Sequence, residues 1–118
     1  MVNSRGKGKD GELELAHELE RVLGVRARRG VQYRGGPNSP DIVTSLKGVH
    51  FECKRVERLG LYKALDQSKR DAGDDIPLVI HRANRRPWVV IVELENLPAL
   101  AKLIHSLNEK INNENRLA

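Results

Sequence analysis

Three side chains able to do chemistry stand on largely apolar segments of the stretch SPDIVTSLKGVHFECKR, residues 39–55: Asp41, Glu52 and Lys54. Glu52 and Lys54 are two residues apart, so on a strand they project from one face, about 6.6–7 Å from each other along it. Cys53 points the opposite way, with Val49 and Phe51. Asp41 opens the preceding strand, and a hairpin closing near Gly48 brings it alongside Glu52 or Cys53. Two carboxylates in close quarters repel unless a cation joins them. Hard oxygen donors select Mg²⁺ or Mn²⁺ over zinc, and the backbone carbonyl of Cys53 can add a third oxygen. Such an ion polarises a phosphoryl oxygen and acidifies a bound water. Lys54 beside it can hold that water or offset charge building on a phosphate. Glu12, in the first turn of an upstream helix and at the edge of its apolar face, can reach the ion or one of its waters. The candidate catalytic set is Glu12, Asp41, Glu52 and Lys54, with Glu12, Asp41, Glu52 and Cys53 as candidate metal ligands. The plain alternative is a solvated hairpin face on which Glu52 and Lys54 merely pair.

The elements that must position these groups follow from periodicity. DGELELAHELERVLG places Leu13, Leu15, Ala16, Leu19, Val22 and Leu23 on one broad helical face, with Asp10 as N-cap and Gly24 as stop. VRARR alternates as a short strand, and the following RGGPNSP is loop. DIVTS and GVHFECKRV read as strands joined by a turn near LKG. LYKALDQSKRDAG is a second helix whose shared face holds Leu61, Ala64, Leu65 and Ser68. IPLVIHRA and PWVVIVEL are two strands of a hairpin about NRR. LPALAKLIHSLNEKI is a last helix with Leu97, Leu100, Leu103, Ile104 and Leu107 inward. There is no repeat, linker or low-complexity segment. The expectation is one α/β domain over residues 1–118, a mixed sheet flanked by helices, with residues 1–9 and 112–118 as flexible tails.

Composition bounds the rest. At 118 residues and 39% hydrophobic, the chain suits one domain with a single, mainly aliphatic core, since aromatics are only 3%. The formal charge is +5, which favours polyanionic partners. Cys53 is the sole cysteine, so no internal disulfide forms and a reducing, cytoplasmic setting is expected. Neither a signal peptide nor a run of about 20 apolar residues is present, so no membrane partner is expected. The histidines do not cluster at ligand spacing; His50 shares a face with Glu52, where a structural role is expected.

Pro40–Asp41 followed by Glu52-Cys53-Lys54 matches the PD-(D/E)xK pattern of a nuclease superfamily that contains many restriction enzymes. Within it, GKGKDGELELAHEL resembles the opening of archaeal-type Holliday junction resolvases, while SPDIV and FECK are similar to that family's PDIVA and IEVK. The resemblance extends from Lys7 to Trp88, as PLVIHRANRRPWVVIV is similar to the family's last strand pair. The chain departs from the family at Leu13, where an arginine is usual, and in a longer segment between Arg29 and Asp41. The resemblance implies a restriction-endonuclease-like fold with a mixed five-stranded sheet. It also implies a homodimeric, Mg²⁺-dependent endonuclease that nicks four-way DNA junctions symmetrically in recombination and repair, with Mn²⁺ as a substitute ion. Such resolvases also occur in bacteriophages. By position, Glu12, Asp41 and Glu52 become the acidic site residues, Lys54 the catalytic lysine, and Arg28 or Arg29 the basic residue ahead of the site. Ser39 and Gln67 are candidates for flanking it.

Lys7, Lys9, Arg26, Arg28, Arg29, Arg34, Arg55 and Arg58 are candidates for a phosphate-tracking surface. Other enzyme readings are a flap, nick or duplex nuclease of the same superfamily; a non-catalytic DNA-binding module of the same fold is the other class. An RNA-binding protein that stacks bases is disfavoured by the scarcity of aromatic residues.

Overall fold

The computed structural model describes residues 4–30 and 40–117. Along the chain come α1 (Ser4–Leu23), β1 (Ala27–Arg29), β2 (Ile42–Thr44), β3 (Val49–Arg55), α2 (Leu61–Ala72), β4 (Ile76–Arg82), β5 (Val89–Ile91), a 3₁₀ turn (Leu94–Asn96) and α3 (Leu97–Leu117). This is the element order that the apolar periodicity predicts, an α/β arrangement with one mixed sheet.

The five strands lie in sequence order, β1 to β5. Neighbours are antiparallel except β3 and β4, which run parallel from Val49↔Ile76 to Arg55↔Arg82. Parallel neighbours need a crossover, and α2 supplies it. The alternation of β3 and β4 then sorts their side chains between two layers. Phe51, Leu78 and Ile80 join Ile42 under Leu15, Ala16 and Leu19 of α1 and Leu100 of α3. Val79 faces the other way, against Ala64 and Leu65 of α2. His50, Glu52 and Lys54 share that second face by the two-residue period. Ser68 of α2, fully buried, satisfies its hydroxyl on the Leu78 carbonyl at 3.0 Å. Both edge strands are only three residues long, which limits edge-to-edge pairing.

Several boundaries differ from the sequence expectation. α1 begins at Ser4, so residues 4–9 are helical and Asp10 is an interior residue, not a cap. Lysine and arginine are good helix formers, and propagating an existing helix needs no new nucleus. Gly11 contributes by tertiary means: it is buried, and a Cβ there would stand 2.6 Å from the Arg55 Cβ. Its missing side chain is what lets α1 lie against β3. α3 likewise continues through the segment expected to fray, to Leu117.

The apolar faces are also narrower than periodicity suggests. Leu13 and Val22 are 41% and 64% exposed, Leu13 on the side of α1 away from the sheet and Val22 bordering an open groove with Trp88 and Val90. Leu61 and Leu97 are exposed in the first turns of their helices, because α2 and α3 meet the core only from Ala64 and Leu100 onward. Among the described residues, no helix is long and apolar enough to cross a membrane.

Candidate active site

Asp41 immediately precedes β2, and the Ile42↔Phe51 register sets it across from Glu52. Its position is fixed from two sides. Asp41 Oδ2 accepts the Cys53 N–H at 2.8 Å, and the Asp41 carbonyl accepts the Gly30 N–H at 2.8 Å. Gly30 has to be glycine for this approach, since a Cβ would lie 2.0 Å from the Pro40 carbonyl oxygen. On β3, Lys54 Nζ donates to Gln67 Oε1 of α2 at 3.2 Å. An open cleft of about 570 Å³ is lined by Gly8, Lys9, Glu12, Arg29, Asp41, Glu52, Cys53, Lys54, Arg55 and Gln67. The two acids, the lysine and the glutamine that the sequence singles out thus share one cavity.

The two central acids titrate unequally. Burial, followed by the charge of Glu52, raises the Asp41 carboxyl to about 7 despite the Cys53 N–H. Glu52 is also pushed up by burial, yet hydrogen bonds from His50 and Asp41 and the charge of Lys54 hold it below the ordinary range. Below about pH 7 the pair holds a proton on Asp41. Sharing a proton is what neighbouring carboxylates do in place of a cation. Their oxygen donors and surplus negative charge fit a hard divalent ion.

Glu52 also contacts groups on its other side. Its Oε1 lies 3.4 Å from His50 Nε2, and both residues are 4% exposed. With Asp71 of α2 they form a group whose ligating atoms all lie within 4.8 Å of one another, a set able to hold a metal ion. Sequence reasoning missed Asp71. The available signal was its spacing, four residues after Gln67, which stacks both on one face of α2. His50, placed on the same face as Glu52 by the sequence, is a direct partner of that carboxylate.

Glu12 lines the cleft as expected, but Arg29 engages it. Arg29 Nη2 and Nε reach Glu12 Oε1 at 3.1 and 3.2 Å. Among the described residues, no group of three potential ligands includes Glu12. Glu12 thus stands in the cleft as a salt-bridged acid, while Asp41 and Glu52 are the two carboxylates in direct interaction. The Cys53 side chain packs against the core, and burial together with the nearby acids, Asp41 first, drives its thiol up to about 12, far from a thiolate.

The described basic residues differ in where they stand. Lys9, Arg29 and Arg55 line the cleft, Arg28 and Arg58 are exposed, and Arg26 lines a separate groove with Lys47 and Lys110. Arg55 is tied to its own protein, with Nη2 on Asn84 Oδ1 at 2.8 Å and Glu57 and Glu14 at 3.7 and 3.9 Å. Lys7 lies on α1, but its side chain, like Arg34 and Ser39, falls outside the described residues. Glu14, which sequence reasoning passed over, accepts from the Arg82 guanidinium and from Trp88 Nε1, the latter at 3.1 Å. It fastens α1 to the β4–β5 hairpin.

Comparison with known proteins returns no matching family model, no matching curated protein and no matching solved structure.

Proposed function

We propose that this protein is a metal-dependent DNA endonuclease of restriction-endonuclease-like fold that resolves four-way junctions by paired symmetric nicks, acting as a homodimer. The observation that carries the reading is the meeting of Asp41, Glu52 and Lys54 in one open cleft, with the Asp41 carboxyl raised to about 7 by burial and then by Glu52. The mixed sheet, with the acids on an antiparallel pair and a helix crossing to a parallel strand, is compatible with that fold.

Asp41 and Glu52 would hold Mg²⁺, with Mn²⁺ as substitute. The ion, when bound, supplies polarisation of a phosphoryl oxygen and a water acidic enough to attack phosphorus. Asp41 must release its proton to ligate. Gln67 holds the Lys54 ammonium at the cleft, where it can orient water or meet charge developing on the phosphate. Arg29, partly neutralised by Glu12, and Lys9 add positive charge to the walls for the flanking backbone. Two symmetric cuts need two such sites, and a two-fold dimer provides them.

A labelled four-way junction and a linear duplex of the same sequence, each incubated with and without Mg²⁺ and with all strands mapped, test the reading. Symmetric nicks in the junction alone are expected, and Lys54→Ala should lower the rate about 10²–10³-fold. Equal cutting of the duplex would replace junction selectivity with a broader nuclease. No cutting with Mg²⁺ or Mn²⁺ would leave a DNA-binding module.

A further inference from the structure

We propose that Glu52 is shared by two cation positions, and that His50, Glu52 and Asp71 form the second, a site for a divalent transition ion such as Mn²⁺ that accepts mixed nitrogen and oxygen donors. The second position rests on its own residues, whereas the sharing of Glu52 rests on the nuclease reading. The imidazole and the Glu52 carboxylate are buried at 4% exposure each, and Asp71 closes the group from α2 within 4.8 Å. An ion about 2.0–2.2 Å from each donor brings donor atoms to within about 4.4 Å, so a small side-chain rotation completes the set. One imidazole with two carboxylates is a donor set of the first-row transition ions, whereas Mg²⁺ prefers oxygen alone.

The three residues border two cavities. Glu52 lines the cleft with Asp41 and Lys54, while His50 and Asp71 line a second cavity of about 460 Å³ that also receives Thr44, Asp75 and Lys47. An ion could therefore approach His50 and Asp71 from that second cavity. Bound there, it would fix the carboxylate that the cleft uses.

Titration of the full chain with Mn²⁺ alone, without DNA, tests the site by electron spin-echo spectroscopy and by counting free Mn²⁺. Nitrogen coupling to the bound ion is expected in the wild type and in Asp41→Asn, and its loss in His50→Gln. That loss also separates the site from the exposed His105–Glu109 pair, 3.1 Å apart. Asp71→Asn, at a partly exposed helical position, guards against misfolding of the His50 variant and should weaken this binding roughly tenfold or more. Absence of nitrogen coupling in the wild type, coupling that survives His50→Gln, or unchanged affinity in Asp71→Asn would each overturn the proposal. Nitrogen coupling lost on His50→Gln in a protein that fails to cut any DNA would sink the nuclease reading and support this site.

Discussion

Asp41 carries a cost that its surroundings impose on purposeful terms: a buried carboxyl beside a second one. Its folded value of about 7 stands above the ordinary 3.8. The associated stability is therefore complete below about 3.8 and is lost as pH rises through about 7. Glu52 behaves oppositely, its contribution present above the ordinary 4.5 and lost as pH falls through its lowered folded value. Asp41→Asn keeps an acceptor for the Cys53 N–H and removes the repulsion. Allowing for solvent screening, it should gain roughly 1–2 kcal/mol more stability at pH 8 than at pH 5 without divalent ions, as read by thermal unfolding. The same variant should lose metal-dependent cleavage, the exchange of stability for function expected at a strained site. In the wild type, ion binding must displace the Asp41 proton, so cleavage at fixed, subsaturating Mg²⁺ should climb with pH towards about 7 and flatten above it. Asp41, Glu52 and Lys54 were legible in the chain because a two-residue period and one turn fix their placement, and Gln67 was named only through the family resemblance. The Glu12–Arg29 pair and the approach of Asp71 were not, because each depends on how a helix docks on the sheet.

Among the elements, two glycines set how closely the parts approach. Gly11→Ala should favour helix by propensity yet destabilise the protein by about 1–3 kcal/mol, because the new methyl meets Arg55 Cβ at 2.6 Å. Gly30→Ala should cost at least as much and also impair cleavage, since the backbone carbonyl 2.0 Å away belongs to Pro40, next to Asp41. Denaturant midpoints of the two variants check both expectations. Glu14→Gln should cost about 1–2 kcal/mol, as it weakens the charged acceptor that Arg82 and Trp88 share. Its effect should fall on stability and not on metal affinity. Helix and strand order followed from apolar period alone. The ends did not: a capping signal at Asp10 competed with lysines that favour helix, and the polar NNENRL read as fraying although α3 includes it.

At the scale of the whole molecule, net charge predicts attraction to a polyanion but not the surface that meets it. If DNA occupies the cleft, binding should weaken steeply with salt, and Lys9→Ala should reduce the slope of log K against log salt by about 0.9. Arg26→Ala, on the other groove, should leave that slope unchanged. Arg55→Ala should instead lower the unfolding midpoint, because its guanidinium is held by Asn84, Glu57 and Glu14. Titrations by fluorescence anisotropy over a range of KCl distinguish the first two, and thermal unfolding reads the third. Composition could not separate these arginines, since their partners come from segments far apart in sequence. The single cysteine has a use of its own. Held protonated up to about 12 and packed on the core from the middle of β3, it should ignore alkylating reagents while that strand stays in place. Its labelling rate then becomes a built-in clock for transient openings of the sheet's centre, readable without installing any probe.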